Sequence, residues 1–311
     1  QADWKLNGDV AEVEHIDLKL DDAIGSGWLR VTSLAKQSLE FDLQFDALDV
    51  DRYSAPATEV ETSATSDTSD ALDLPVEDMR ALDLKGRLGF NSLRVAEALL
   101  TNVNINVNAK EGLIRMNPLT ADIYGGGYSG DIRLDVRGAT PKMSVNEHLT
   151  GFQLGEFLVD TQDDATIAGV ANVRITASAS GNTIAELTEN LAGDAAIDLK
   201  EGRYVGVDLW HEIRAARARI KGETAPPEPV EPYTEISEFS GTAKFADGMI
   251  RNRDLLAQIP FIRMGGSGDI NLVESVMDYR LEAKVVGSPQ FDDGFVLDDL
   301  EGIVIPVKLQ G

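Results

Sequence analysis

The 311-residue chain contains no cysteine. That excludes a disulfide framework, a thiolate metal site and a cysteine nucleophile, and it is compatible with an oxidising compartment without requiring one. Positive charge is scarce as well: 28 Lys and Arg stand against 53 Asp and Glu, for a net charge of −25. Such a surface repels phosphate backbones, so nucleic acid is excluded as a partner, and general attraction to anionic lipid headgroups is excluded with it. Any lipid would have to be held by its tails. No apolar run approaches the ~18 residues that a membrane-spanning helix needs. The opening stretch QADWKLNGD reads as strand and carries neither an initiator Met nor a signal pattern, so the chain reads as a segment whose N-terminal part lies elsewhere.

What is present is alternation. LEFDLQF places Leu39, Phe41, Leu43 and Phe45 on one face of a strand. TNVNINVNA sets Val103, Ile105 and Val107 against Asn102, Asn104, Asn106 and Asn108, and DIRLDV sets Ile132, Leu134 and Val136 against charged neighbours. The same period recurs with Val173 and Ile175, with Ile197 and Leu199, with Leu281 and Val285, and with Ile303 and Ile305. Helical patterns are few and short: NSLRVAEALL, FQLGEFLVD, NTIAELTENLAG and GVDLWHEIRAARARIKG. On the last of these, Arg214, Arg217 and Lys221 adjoin an apolar stripe of Trp210, Ile213 and Ile220. These cations fit a phosphate headgroup or an acidic partner, and equally they fit the negative end of their own helix and the acidic loop after it.

Two segments have linker chemistry. Residues 54–74 are mostly Ser, Thr, Ala and acid, and residues 222–235 hold four prolines among acids. They divide the chain into N-terminal strands over 1–53, an acidic linker over 54–74, and a C-terminal β domain over 75–311 with a Pro-rich loop at 222–235. The expected fold is mainly β with a few short helices, an α+β chain built on a curved antiparallel sheet. Alternation alone leaves two arrangements open: an open trough or groove with one apolar face, or a sandwich in which two such faces seal each other.

YGGGYSGDIRL matches G-x-G-x-x-G through Gly125, Gly127 and Gly130. A dinucleotide site needs a helix after the glycines, whereas strand alternation follows here, so no nucleotide cofactor is expected. The glycines read instead as permitting a bulge or bend. The phrase returns as MGGSGDINL, and Lys110-Glu111-Gly112, Lys200-Glu201-Gly202 and Ala246-Asp247-Gly248 each precede a Leu by seven residues from the Gly. Three repeated hairpins are the expectation. No catalytic constellation emerges. His15, His148 and His211 lack ligand spacing, Ser129 and Ser267 lack the G-x-S-x-G elbow, and the acidic clusters lack a calcium-loop frame, so neither an enzyme nor a metal site is expected.

The order of FDLQFDALDVDRY, an acidic insert, LKGRLGFNSLRV, AKEGLIRMNPLTADIYGGGYSGDIRLDVRGATP, LTGFQLGEFLVD, ENLAGDAAIDLKEGRYVGVDLWHEIRAA, FSGTAKFADGMIRNRDL, GGSGDINL and EGIVIPVKLQG resembles the C-terminal region of the AsmA family of bacterial envelope proteins. The resemblance runs from about Ser38 to Gly311. It implies a protein anchored in the inner membrane by an N-terminal helix absent from this chain, with its body in the periplasm. It also implies an apolar β groove that holds or conducts phospholipids between inner and outer membranes. Under that reading the phospholipid acyl chains would contact Leu39, Phe41, Leu43, Phe45, Val103, Ile105, Val107, Ile132, Leu134, Val173, Ile175, Leu281, Val285, Ile303 and Ile305. Arg214, Arg217 and Lys221 would meet a headgroup or a partner protein of the periplasm or outer membrane. The alternative is a non-enzymatic scaffold for outer-membrane protein assembly, working by strand addition at a sheet edge.

Overall fold

The computed structural model describes residues 2–34, 38–53, 75–164, 166–287 and 301–311. The acidic linker assigned to 54–74 lies outside the described residues. In chain order the strands are β1 Ala2–Asn7, β2 Val10–Leu20, β3 Ala23–Ser33, β4 Ser38–Asp49, β5 Asp83–Val95, β6 Ala98–Lys110, β7 Leu113–Ile123 and β8 Gly126–Asp135. They continue as β9 Lys142–Gln153, β10 Ile167–Ser180, β11 Ala192–Val205, β12 Tyr233–Ala246, β13 Met249–Ile259, β14 Ile262–Asn271, β15 Val276–Val285 and β16 Val304–Gln310. Among the described residues four α-helices interrupt them: α1 Val76–Ala81, α2 Leu154–Gln162, α3 Ile184–Glu189 and α4 Leu209–Lys221. The 16 strands of the described residues form one open sheet in sequence order, β1 at one end and β16 at the other.

One pairing departs from the antiparallel expectation. β4 and β5 run parallel, with Leu39 opposite Leu84 and Phe45 opposite Phe90. Parallel neighbours need a crossover of about a dozen residues or more, and the acidic low-complexity insert with α1 supplies it. The pairs β1–β2, β2–β3, β3–β4, β5–β6, β6–β7, β7–β8, β13–β14, β14–β15 and β15–β16 are antiparallel.

The chain divides into two compact units. The first comprises residues 1–149, 174–193 and 245–248; the second comprises 150–173, 194–244 and 249–311. In the first, cross-strand partners place Val13, Leu29, Phe41, Gly86, Val107, Met116 and Ile132 in one row. The next row runs Leu43, Leu88, Ile105, Leu119, Gly130. The opposite face carries charge, with Arg87 on Asp42 at 2.9 Å and Arg30 near Glu40 at 3.7 Å. Alternation thus becomes two chemically distinct faces because directly opposed residues share a side of the sheet. Only part of the apolar face is sealed. Phe90, Leu93, Val103 and Ala121 form a buried cluster, against which Phe45, Leu48, Leu88, Leu100, Ile105 and Tyr128 pack half-buried, and Phe45 stacks on Phe90 at 5.4 Å.

The helical reading of NSLRVAEALL is wrong. Those residues end β5, turn at Ala96-Glu97 and begin β6. Both turn residues have positive φ, 49° and 63°, the two-residue geometry that suits the twist of a hairpin. Ala and Glu are poor residues there, and the Asp51 carboxylate compensates by accepting from the Ala96 and Glu97 amides at 2.6 and 2.8 Å. The other three helical patterns form α2, α3 and α4. Thr183 caps α3 by accepting from the Glu186 amide, and Asp208 caps α4 by accepting from the His211 amide. Gly222, at φ 71°, ends α4 in the left-handed conformation.

Two of the three expected hairpins exist. Glu111-Gly112 joins β6 to β7 and Asp247-Gly248 joins β12 to β13, both residues of each at positive φ. Each following strand then carries one extra residue, between Met116 and Leu119 or between Asn252 and Leu255, opposite the Gly-rich strand. Leu119 faces Gly130 and Leu255 faces Gly266, so the hairpin repeats while the Ser-Gly-Asp-Ile phrase lands two residues further along in the second copy. Lys200-Glu201-Gly202 is not a turn; β11 runs through it. Its glycine serves close packing instead: a Cβ on Gly202 would lie 3.0 Å from the Ile236 carbonyl oxygen. Close approach also corrects the bend assigned to the first motif. Gly125 does turn, at φ 78°, but Gly130 lies within β8 and leaves room for the Glu147 and Tyr128 side chains, which a Cβ would meet at 2.2 and 2.7 Å.

Candidate functional site

A cavity of about 540 Å³ lies within the second unit. Ile167 of β10, Ile197 and Leu199 of β11, Ile236 and Phe239 of β12, Ala257 and Ile259 of β13 and Met264 of β14 supply its sheet-borne wall. Leu154 at the start of α2, Tyr204 near the end of β11, Val207 in the chain entering α4, and Leu209 at the first turn of α4 complete it. The residues come from neighbouring strands at inward register, such as Ala257 opposite Met264 and Ile259 opposite Ile262. Chain that leaves the sheet and re-enters as helix lies beside them.

Almost everything facing this space is carbon. Thr234 and Tyr204 carry the hydroxyls, and Thr234 is 7% exposed. Its hydroxyl is already committed, accepting from the Leu209 amide at 3.0 Å and donating to the Val207 carbonyl at 2.7 Å. Away from the Tyr204 hydroxyl at its exposed part, the wall therefore offers a ligand mainly dispersion contacts and exclusion of water. It is not sealed either: Tyr204 and Val207 remain 40% and 39% exposed, which marks where the space meets solvent. Within α4, Ala215 and Ala218 are buried, while Trp210 packs edge-on against Phe261 at 6.3 Å between ring centres.

None of the residues singled out from sequence as lipid contacts lines this cavity. Leu39, Phe41, Leu43, Phe45, Val103, Ile105, Val107, Ile132 and Leu134 fall together on the apolar face of the first unit. Phe41 and Val103 are buried there and the other seven half-buried. Val173 and Ile175 sit half-buried on β10. In the second unit Leu281 and Val285 share a face with Ala283, the partner of the cavity residue Met264. Ile303 and Ile305, by β16, are 42% and 50% exposed. The cations divide: Arg214 and Arg217 are half-buried, Lys221 is exposed, and Arg217 lies 3.8 Å from Glu223 in the acidic loop. Ile220, read as part of the stripe, is 86% exposed, because the buried side of α4 follows Ala215 and Ala218. Ile197 and Leu199 were legible as one face of a strand. Leu154, Tyr204, Val207 and Thr234 were not, since their roles depend on where α2 and α4 lie against the sheet.

A polar pair interrupts the apolar face of the first unit. The Tyr128 hydroxyl donates to Glu147 Oε2, and Glu147 Oε1 is buried without a partner. Burial, and then this hydrogen bond, push the Tyr128 phenol far above its ordinary pKa. Among the described residues no cluster of His, Asp and Glu is arranged to hold a metal ion, and no helix is long and apolar enough to cross a membrane.

A single open sheet of consecutive strands, two-faced, with repeated hairpins and a carbon-lined cavity, defines the structural class. The chain belongs to the AsmA family, whose sequence profile matches residues 20–255. It is 23% identical to Protein AsmA of Escherichia coli (strain K12) over 326 aligned positions, which cover all of this chain and 52% of that relative. The chain thus spans about half the length of the curated relative it matches. No solved structure matches it significantly.

Proposed function

We propose that this chain is the lipid-holding part of an envelope protein, periplasmic in location and anchored to the inner membrane in its full-length form. It shields phospholipid acyl chains from water as they pass between the inner and outer membranes, and it does so without catalysis. The observation that carries this reading is the open, carbon-lined cavity of about 540 Å³ in the second unit. A phospholipid crossing water exposes its tails, and at ~0.8 kcal/mol per CH₂ a chain of about 16 carbons costs on the order of 13 kcal/mol to solvate. A carrier must offset that cost with apolar surface kept free of competing polar groups, which is the chemistry of this wall. The half-buried apolar face of the first unit offers the same chemistry. Membership of the AsmA family supports the envelope context.

The test is lipid content. Native mass spectrometry of the gently purified chain is expected to find bound phospholipid. Phe239→Asp, which puts a carboxylate into the cavity wall, is expected to cut uptake from vesicles by more than about tenfold, with circular dichroism unchanged. A wild-type chain that carries no lipid and takes none up would end the proposal. The scaffold reading has its own support in β16, an edge strand exposed along its whole length. It predicts indifference to Phe239→Asp and sensitivity to substitutions that block pairing at that edge.

A further inference from the structure

We infer that the cavity of the second unit takes one aliphatic chain at a time, so that its ligand is a single-chain amphiphile or one tail of a two-chain lipid. This rests on the lipid-holding proposal and narrows it. Volume sets the limit. A methylene is close in size to a water molecule, whose share of liquid volume is ~30 Å³, so about 540 Å³ corresponds to roughly 18 methylenes. A two-chain lipid brings about twice that hydrocarbon.

The lining sets the orientation. Of the two hydroxyl-bearing side chains in the wall, Tyr204 lies at its exposed part, and Thr234 is already bonded to the Leu209 amide and the Val207 carbonyl. A headgroup drawn inside would lose its hydration and find no partner, at a cost that excludes it. The head therefore stays in water, beside Tyr204 and Val207, which are exposed in part while their neighbours in the wall, Leu199 and Ile259, are buried. The cavity then acts as a slot for a tail and makes no distinction between headgroups. A lysophospholipid and a free fatty acid share that chemistry, as does a diacyl lipid with its second tail lying elsewhere on the protein.

The experiment titrates the chain with lysophosphatidylcholines whose saturated tails run from about 8 to about 20 carbons, kept below their micelle concentrations. Each added methylene is expected to tighten binding about fourfold until the slot is full, then to add nothing beyond roughly 18 carbons. Ala257→Phe fills part of the space and moves this plateau to shorter tails. Val207→Phe, at the partly exposed wall, does the same without disturbing a buried position. Native mass spectrometry should count one tail per cavity. Affinity still climbing between about 18 and about 20 carbons, or a plateau unmoved in both variants, would overturn the single-tail inference while leaving lipid holding intact. No binding of either lysophospholipid or two-chain phospholipid would overturn both.

Discussion

At the scale of single residues, Tyr128 shows how a polar group survives on an aliphatic face. Its ring packs on the cluster of Phe90, Leu93, Val103 and Ala121, and its hydroxyl gives the Glu147 carboxylate a donor. Gly130 makes the arrangement feasible, since any side chain there would occupy the same space. Burial and then the hydrogen bond raise the phenol above its ordinary ~10, so the folded state retains its proton more tightly than the unfolded state. The linked stability is fully present below about pH 10 and is lost as pH rises through the folded value. Tyr128→Phe is therefore expected to flatten part of the alkaline loss of stability, and at neutral pH to cost ~1–3 kcal/mol because the carboxylate loses its donor. Part of the slope should survive, since Tyr279, through burial, and Tyr53, through its bond to Asp21, are raised as well. Denaturant unfolding at about pH 7 and pH 11 checks this; identical alkaline slopes in the two proteins would mean that Tyr128 titrates as it does in the unfolded chain.

At the scale of elements, α4 depends on groups outside itself. Its first amide, Leu209, has no intrahelical acceptor and is met by the Thr234 hydroxyl of β12, while Asp208 meets the His211 amide. Thr234→Val keeps the volume and removes both hydrogen bonds, leaving the Leu209 amide and the Val207 carbonyl unpaired beside the cavity. A loss of ~2–4 kcal/mol is expected, with faster hydrogen exchange confined to the start of α4. Uniform loss of protection across the sheet would place the role of Thr234 elsewhere. The strands and three of the four patterned helices were legible because burial on one side of an element writes its period into the chain. The turn at Ala96-Glu97 was not, because its stability comes from Asp51, 45 residues earlier along the chain. The strand through Lys200-Glu201-Gly202 was misread for a related reason. An acidic residue followed by Gly suits a tight turn, but here the glycine answers the close approach of Ile236 on β12. The apolar face of the first unit could be assembled from alternation alone, since opposed residues follow from the period. The cavity could not, because it forms where helical segments meet strands distant in sequence.

At the scale of the whole molecule, the net charge of −25 and the carbon lining of its apolar surfaces make one prediction together. If lipid is gripped by its tails, the free energy resides in dispersion and in release of water, neither of which is screened by salt. An acidic protein repels an anionic headgroup, and salt weakens that repulsion. Uptake of a zwitterionic phospholipid should therefore stay level between about 0.05 and 0.5 M salt, while uptake of an anionic one should rise modestly over the same range. Recognition through cations gives the reverse: binding restricted to anionic lipids and falling steeply with salt. The structure favours the first pattern. Arg30, Arg87, Arg115 and Arg253 each lie against a carboxylate on exposed surface, and Arg217 lies near Glu223. These pairs offset part of the positive charge within the chain. A titration of fluorescent phospholipids from neutral and anionic vesicles across that range decides between the two. A tenfold loss of anionic-lipid binding at high salt would move the site from the apolar wall to a charged surface, because tail burial alone has no term that falls with ionic strength.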